Sequence, residues 1–263
     1  MSTTPKSPIS RVGGKYYLAP KLIKLIPAHT TYVEPFGGAM HVLFAKSPSK
    51  IELYNDIEDN LVNFFQVVKS EFDALERELE FTLYSRFIFD KAKANLNNGS
   101  PVSRAANFYI VNRQCFGGKM GMWGRQISAK RMSNINIDTL RKASERLKDV
   151  QVDCSDFRKV ISDFDTENTL FYCDPPYMFN GVRVSTKIYK DELTNADHAD
   201  LVNLLKGIKG KFILSVYDNE LYNKNFERVT IGESNMQVEK KKNGEPRHKK
   251  TEYVWTNFTV HSN

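Results

Sequence analysis

The stretch that decides the fold is residues 169–177, which reads TLFYCDPPY. Its first half, residues 170–173, is a short apolar run rich in aromatic side chains, and such a run predicts a strand buried on both faces of a sheet. Pro175 and Pro176 cannot donate to a sheet ladder, so the strand has to end before them. We therefore expect Asp174 at the carboxyl end of a core strand, the edge at which open α/β sheets bind ligands.

The groups presented by this turn suit a planar molecule that carries an exocyclic amino group. The Asp174 carboxylate and a proline carbonyl are acceptors for the two N–H bonds, and the Tyr177 ring offers a flat face for stacking. Two such acceptors would draw the amine towards a tetrahedral geometry and favour its attack on an electrophile, which is stabilisation by preorganised dipoles. The alternative is a strand followed by an ordinary proline turn.

Small residues also precede two helical patterns near the amino terminus. Gly13 and Gly14 come before the first pattern, where glycines let backbone N–H groups approach a ligand, and Lys15 adds a cation. A surface loop is the alternative there. Residues 31–34 predict the first core strand, and residues 35–38 the turn into a helix. This turn lacks the third glycine of the dinucleotide fingerprint GxGxxG.

Acidic residues follow two further predicted strands. Asp56 comes after an alternating strand over residues 51–54, a position where an acidic side chain commonly binds ribose hydroxyls. Capping of the next helix is the alternative role for Asp56. Asp156 and Phe157 follow a strand pattern over residues 150–154, and a helix cap is again the alternative for Asp156.

Residues 57–149 differ in composition from the chain on either side. Apolar and aromatic residues recur there at helical spacing, in a segment rich in Glu and Lys, and we interpret the aromatic stripe as core. Residues 97–101 form a clear break, after which Ser103 can cap a helix over residues 104–112. The pattern predicts a helical domain, residues 57–149, inserted into a catalytic domain formed by residues 1–56 and 150–263.

Two basic segments favour a polyanionic partner. Residues 113–125 form a glycine-rich loop in which cations and aromatics alternate, and such a loop suits entry into a DNA groove. Residues 240–250 carry an Asn-Gly turn signal between strand patterns at 236–239 and 252–258, and a basic hairpin tip can clamp a phosphate backbone. A solvated loop is the alternative in both cases.

Composition agrees with these expectations. The 263 residues carry a formal charge of +7 and are 41% hydrophobic, which supports a packed core and fits a polyanionic partner. No run of eighteen apolar residues exists, and the polar first ten residues lack a signal core, so we expect a cytoplasmic protein. Cys115, Cys154 and Cys173 lack partners at metal-binding spacing, which favours reduced thiols over disulfides or a metal site.

Four motifs occur in a fixed order: residues 10–15 (SRVGGK), 32–38 (YVEPFGG), 112–113 (NR) and 174–177 (DPPY). This ordered set resembles the Dam-like (D12 class) DNA adenine-N6 methyltransferases of the alpha group, which use S-adenosylmethionine. The resemblance covers nearly the whole chain. It implies a Rossmann-like α/β methyltransferase sheet, mostly parallel with a C-terminal antiparallel hairpin, and a helical target-recognition insert. Two departures stand out: Arg11 lies where the family often has an aromatic residue, and the pattern changes after Gly118.

The resemblance also implies roles for three groups of residues. The catalytic group would hold the target amine: Asp174, Pro175, Pro176 and Tyr177. The cofactor group would bind S-adenosylmethionine, with Lys15 near the methionine carboxylate and Asp156 and Phe157 at the adenine. Its members are Arg11, Lys15, Glu34, Pro35, Phe36, Gly37, Gly38, Asp56, Asp156, Phe157 and Asp174. The DNA-binding group comprises Asn112, Arg113, Lys119, Trp123, Arg125, Lys130, Arg131, Lys240, Lys241, Lys242, Arg247, Lys249 and Lys250.

Together these expectations predict a site-specific DNA methyltransferase that acts on N6 of adenine, with GATC as the target implied by the resemblance. The adenine would be flipped out of duplex DNA, because N6 lies in the base stack and cannot otherwise reach a bound cofactor. We expect no metal, and a monomer or a dimer formed on DNA. The alternatives are an amino-methyltransferase for RNA or another substrate, and a non-catalytic DNA-binding protein on the same scaffold.

Overall fold

The computed structural model describes residues 5–11, 13–116, 120–125, 135–176, 193–235 and 249–260. Its strands are β1 (Thr31–Glu34), β2 (Ile51–Asn55), β3 (Val150–Asp153), β4 (Thr169–Cys173), β5 (Lys211–Leu214), β6 (Glu227–Asn235) and β7 (Lys249–Thr256). They form one sheet in the order β3-β2-β1-β4-β5-β7-β6. Strands β1 to β5 are parallel, and β7 is antiparallel to both of its neighbours. This arrangement confirms the predicted fold class.

Helices cover both faces of this sheet. In chain order they are α1 (Ala19–Leu22), α2 (His41–Ala45), α3 (Asp59–Ser70), α4 (Phe72–Leu79), α5 (Arg86–Ala94), α6 (Pro101–Gln114), α7 (Ile137–Leu147), α8 (Phe157–Phe164), α9 (Asn195–Gly207) and α10 (Glu220–Asn223). A 3₁₀ turn at Ile23–Leu25 follows α1. Helices α1 to α7 contribute to the hydrophobic cluster on one face, and α8 to α10 to the cluster on the other.

Strand β4 confirms the interpretation of residues 169–173 as a strand buried on both faces. All five of its residues are buried. Leu170 and Tyr172 belong to one hydrophobic cluster, whereas Phe171 and Cys173 belong to the other, as the two-residue period of a strand requires. The strand lies between β1 and β5, so the order of the sheet reverses between β1 and β4. Ligands of open α/β sheets bind at the carboxyl ends of strands at such a switch point.

Helices α3 to α7, which lie between β2 and β3, share a single core with the sheet. The Phe65 ring of α3 lies 5.2 Å from the Tyr54 ring of β2, and the Phe64 ring stacks on Tyr109 of α6 at 5.6 Å. These aromatic residues are fully buried, so this part of the stripe is core, whereas Phe81 and Phe87 are exposed and the prediction that they are core was wrong. The domain boundaries at residues 57 and 149 stay a prediction.

One local prediction is wrong, and another falls outside the described residues. Helix α6 begins at Pro101, and the side chain that caps it belongs to Ser100, which accepts a hydrogen bond from the Ser103 backbone at 3.1 Å. The prediction that Ser103 is the cap was wrong, because a proline fits the first helical position and its missing N–H costs nothing there. Strand β7 pairs with β5 and with β6, which ends at Asn235, and the strand expected at 236–239 lies outside the described residues.

Candidate active site

A pocket opens at the carboxyl ends of the central parallel strands. It is lined by the loop before α1, the turns after β1, β2 and β3, and residues 174–176 after β4. Every residue predicted to bind the cofactor lines this pocket, as do Asp174, Pro175 and Pro176. These residues are far apart in the chain, and the parallel strand order brings them together at one edge of the sheet.

Asp174 and Lys15 form an ion pair in this pocket. Lys15 Nζ donates to Asp174 Oδ1 at 2.6 Å and to the Gly13 carbonyl at 3.2 Å. The Lys15 side chain is 6% exposed and that of Asp174 is 21% exposed. Burial raises the pKa of the Asp174 carboxyl, and the Lys15 ammonium opposes that rise. Lys15 thus favours the charged form of Asp174, a contact that the sequence did not predict.

Glu34 is a second buried carboxyl near Asp174. Its Oε1 accepts a hydrogen bond from the Tyr32 hydroxyl at 2.8 Å and another from the Leu43 backbone N–H at 2.9 Å. Glu34 is 1% exposed, and burial raises the pKa of its carboxyl to about 8. At neutral pH the protonated form therefore predominates, so Glu34 adds little negative charge beside Asp174.

The turn after β1 requires glycine at residue 37. A Cβ atom at Gly37 would lie 2.1 Å from the Tyr54 ring, which no side chain could tolerate. The Gly37 N–H donates to the Asn55 carbonyl at 2.8 Å, and the Tyr54 hydroxyl donates to the Gly38 carbonyl at 3.0 Å. Gly38 has a φ of 50°, in the left-handed region. The turn therefore lies against β2 and lines the pocket with bare backbone.

Asn55 organises the pocket, and sequence reasoning missed this role. Its Nδ2 donates to the carbonyls of Pro35 and Ser155, both at 2.9 Å, and its Oδ1 accepts from the Ser155 N–H at 2.8 Å. Asn55 is 1% exposed. It thereby connects the turn after β1 to the turn after β3. The available signal was a polar amide at the end of the strand pattern, directly before Asp56.

Asp56 lines the pocket and also fixes two backbone groups. Its Oδ2 accepts from the Gly38 N–H at 2.9 Å, and its Oδ1 accepts from the Glu58 N–H at 3.0 Å. Asp56 is not the cap of α3, because the N-cap residue is Glu58 and no side chain accepts a capping bond there; Asp56 bonds to the turn before the helix. Glu58, which the sequence did not single out, pairs with Arg11 at 2.5 Å and lines the same pocket.

Asp156 and Phe157 begin α8 at the other side of the pocket. Asp156 Oδ1 accepts from the Arg158 N–H at 2.8 Å, so the helix cap considered for this residue exists. The Phe157 ring is 5.0 Å from the Phe36 ring, and the two rings form an apolar wall. Arg158 lies 4.5 Å from the Phe157 ring and pairs with Asp156 at 3.0 Å. Arg158 and its further partner Asp197 line the pocket without having been predicted.

The described DNA-binding candidates do not lie in this pocket. Asn112 is 5% exposed, and its amide accepts from the Ser10 N–H at 3.0 Å and donates to the Ser10 carbonyl at 2.7 Å. Trp123 is half-buried, with its ring 5.5 Å from that of Tyr84. Arg113 is half-buried and Arg125 is exposed.

The remaining candidates fall where the structure gives no side-chain description. Tyr177, Lys119, Lys130, Arg131, Lys240, Lys241, Lys242 and Arg247 lie outside the described residues, and Lys249 and Lys250 are described only as backbone of β7. Over the described part of the chain, no helix has the length and apolar character needed to cross a membrane. Nor do any three His, Cys, Asp or Glu side chains in that part converge as a metal site would require.

Comparison with known proteins identifies the family. The D12 class N6 adenine-specific DNA methyltransferase family matches residues 12–243. The chain is 28% identical to the type II methyltransferase M.MjaIII of Methanocaldococcus jannaschii, over 76% of this chain and 78% of that protein. It is 24% identical to the DNA adenine methylase of Serratia marcescens, over 80% and 82%, and 25% identical to that of Haemophilus influenzae, over 84% and 85%. The chain therefore belongs to the D12 class of adenine-specific DNA methyltransferases and is an enzyme of that activity.

Proposed function

We propose that the pocket binds S-adenosylmethionine and that Asp174 and Pro175 present to it N6 of an adenine flipped out of duplex DNA. The observation that carries this proposal is the Asp174 carboxylate, held by Lys15 at 2.6 Å at the carboxyl end of β4 and inside the pocket. Family membership requires a methyl donor and an adenine in DNA. Asp174 directly precedes Pro175 in the chain, so the carboxylate and the Pro175 carbonyl both come from one turn.

The residues present fit S-adenosylmethionine. Phe36 and Phe157 offer apolar rings to the adenine of the cofactor, and Asp156 has a carboxylate for its amino group. Asp56 would bind the ribose hydroxyls with the acceptor positions that its two backbone bonds leave free. The glycine turn at residues 37–38 admits a ligand close to the backbone, which suits the amino-acid part. Lys15 pairs with Asp174. Among the cations discussed, it would therefore lie nearest to the methyl group that is transferred.

The proposed reaction requires the protein mainly to position the adenine and the cofactor relative to each other. When bound, the cofactor would supply an electrophilic methyl group on a sulfonium, with a neutral thioether as the leaving group, and the proton that N6 releases would pass to solvent. The Asp174 carboxylate and the Pro175 carbonyl would accept hydrogen bonds from the two N6–H groups. These bonds would align the nitrogen lone pair with the methyl group. Tyr177 would stack on the flipped base. Alignment of the two reactants supplies a large part of the rate.

DNA would lie against the insert and the basic segments. We propose contacts from Arg113, Trp123 and Arg125, together with the basic segments at 119–131 and 240–250. Asn112 has a different role in this proposal: its two bonds to Ser10 hold the segment that carries Lys15. The proposed target is GATC, as the resemblance to Dam-like enzymes implies. The proposed setting is the cytoplasm, with a monomer acting on DNA.

The test offers labelled S-adenosylmethionine with duplex DNA, single-stranded DNA or RNA to the wild type and to Asp174→Ala. We expect methyl transfer to duplex DNA by the wild type, and a loss of at least about 100-fold in the variant because one of two acceptors is removed. Calorimetric titration should show that the variant still binds the cofactor. Retained turnover in Asp174→Ala would refute the assignment of this carboxylate.

A randomised duplex library tests the target sequence separately. After methylation by the wild type, N6-methyladenine is mapped by sequencing. Methylated adenines that share the flanks of GATC would support the proposed target, and any other shared flank would replace it.

A further inference from the structure

A buried histidine and a buried tyrosine lie next to the catalytic turn and have no part in the chemistry proposed above. His198, in the first turn of α9, is 0% exposed, and its Nδ1 lies 2.5 Å from the hydroxyl of Tyr222 in α10. Tyr222 is 1% exposed and belongs to the same hydrophobic cluster as Cys173, the residue before Asp174. The pair is therefore packed against the end of β4.

The other ring nitrogen of His198, Nε2, is left for a group other than the Tyr222 hydroxyl. Nε2 is buried and has no hydrogen-bond partner of normal geometry in the described part of the chain. The backbone group that interacts with the ring is that of Pro176. Because proline has no N–H, this group can only be the Pro176 carbonyl. Contacts at active sites are often long in the free enzyme and shorten in the substrate complex.

Hydrogen-bond accounting assigns the proton of the imidazole. If the Tyr222 hydroxyl donates to Nδ1, Nε2 carries the hydrogen and can donate to the Pro176 carbonyl. The opposite tautomer would place the Nε2 lone pair against that carbonyl. Burial lowers the pKa of His198 to about 4, so the ring is neutral at the pH of an ordinary assay. The tautomer with hydrogen on Nε2 satisfies Nδ1 and leaves Nε2 able to donate to the Pro176 carbonyl.

The turn needs a donor from outside itself. Pro175 and Pro176 supply carbonyls but no N–H groups, so neither can anchor the turn by donating. On the strand side, the Ser215 N–H donates to the Cys173 carbonyl at 2.8 Å. His198 belongs to α9, which follows the two prolines in the chain. A hydrogen bond from Nε2–H to the Pro176 carbonyl would hold the turn. It would thereby fix the directions of the Pro175 carbonyl and the Asp174 carboxylate.

We propose that His198 is a positioning residue for methyl transfer, which holds the Asp174–Pro176 turn through the Pro176 carbonyl while Tyr222 sets its tautomer. The inference rests on the proposed roles of Asp174 and Pro175. It predicts that the enzyme needs a donor at the place of Nε2, whereas a purely structural role would need only a side chain that fills the space.

Paired substitutions separate these two roles. His198→Gln keeps an N–H donor near the place of Nε2, and His198→Leu fills a buried site with an apolar side chain. We expect kcat to fall about 10–100-fold in His198→Leu, with the cofactor Kd and the DNA KM unchanged, and to recover in large part in His198→Gln. Tyr222→Phe should cost a few-fold in kcat. Equal kcat for the Leu and Gln variants would overturn the proposal, as would wild-type kcat in His198→Leu.

A spectroscopic measurement tests the proposal without any assay and in the wild-type fold. The ¹⁵N chemical shifts of the His198 ring should report a protonated Nε2 and an unprotonated Nδ1, and the reverse would overturn the proposal. Asp174→Ala is assayed alongside. If it is inactive while His198→Leu has wild-type kcat, the inference about His198 alone fails. If Asp174→Ala is active, the proposed function fails first.

Discussion

The two ends of the pocket hold their carboxylates in different ways. At the amine end, defined by Lys15, Glu34 and Asp174, the acidic side chains are 21% exposed or less, burial raises their pKa values, and one lysine supplies the compensating charge. At the proposed adenosine end, defined by Asp156 and Phe157, Asp156 is 53% exposed and shares Arg158 with two other aspartates. Removing one group should therefore have a large effect at the amine end and a graded effect at the adenosine end.

Lys15→Met should give the largest effect, because it removes the cation that favours the charged form of Asp174. The pKa of Asp174 should rise further, so turnover should fall about 100-fold near neutral pH and partly recover as the pH is raised. The free energy of unfolding should drop by about 3 kcal/mol, the lower end for a broken buried pair, since Asp174 is partly exposed. The pH dependence of kcat and urea unfolding measure the two effects.

Lys15→Arg is the matched control for that variant, since it keeps a positive charge. Its pH profile should lie closer to that of the wild type than to that of Lys15→Met. Identical pH profiles for Lys15→Met and the wild type would show that the ion pair does not set the protonation of Asp174.

Glu34→Gln addresses the same end of the pocket through stability. Folded Glu34 keeps a proton up to a pH of about 8, whereas the unfolded chain releases it near its ordinary pKa. The wild type should therefore lose stability relative to Glu34→Gln as the pH rises from about 5 to 8, by at most about 1.4 kcal/mol per pH unit. The difference should be constant above that range and below it.

Urea unfolding at several pH values measures this slope. Glu167→Gln, which changes an exposed carboxyl in the turn before β4, is the control and should follow the wild type. Parallel curves for Glu34→Gln and the wild type would show that Glu34 is ionised in the folded protein.

Sequence reasoning predicted the position of Asp174 but did not predict the contacts that its side chain makes. Asp174 was placed correctly at a strand end because an apolar run and two prolines are local signals. Its ion pair with Lys15 joins residues 159 positions apart, and no local pattern encodes such a contact. Asn55 was missed for a related reason, because its amide connects two turns that are neighbours only through the sheet order.

Asp56 and Asp156 were each predicted with two alternative roles, and for Asp156 the structure shows that a helix cap and a place in the pocket are compatible. Asp156 caps α8 and lines the pocket at once, and Asp56 bonds to the turn before α3 while lining the same pocket. A carboxylate has several acceptor positions, so a backbone bond does not exhaust it. From a single sequence, a helix cap and a ligand-binding carboxylate at the end of a strand look the same.

Asp156→Ala should have a moderate effect at the adenosine end. Loss of the helix cap should cost about 1 kcal/mol of stability, and loss of the acceptor for the cofactor amine should raise the cofactor Kd about tenfold. Asp200→Ala is the matched control, since Asp200 also pairs with Arg158 at 2.8 Å but does not line the pocket. Calorimetry should give Asp200→Ala a nearly unchanged Kd. Equal affinities in the two variants would remove Asp156 from the cofactor site.

Arg125→Ala should have the smallest effect on the pocket, because Arg125 is exposed and does not line it. The cofactor Kd should stay as in the wild type, and the change should appear in the choice of sequence. If Arg125 bonds to O6 and N7 of a flanking guanine, the preference at that one base pair should relax by about 1–3 kcal/mol. If Arg125 holds a phosphate, turnover on all sequences should fall alike.

Methylation of a randomised duplex library by both proteins, followed by mapping of N6-methyladenine, separates these two results. Arg141→Ala is the control, as Arg141 is a half-exposed arginine of α7 that already pairs with Glu76 at 2.7 Å. Its sequence preference should match that of the wild type. A wild-type pattern with no shared flanking base would contradict both a base contact by Arg125 and GATC as the target. An arginine that bonds to a flanking guanine would produce a preference for that guanine.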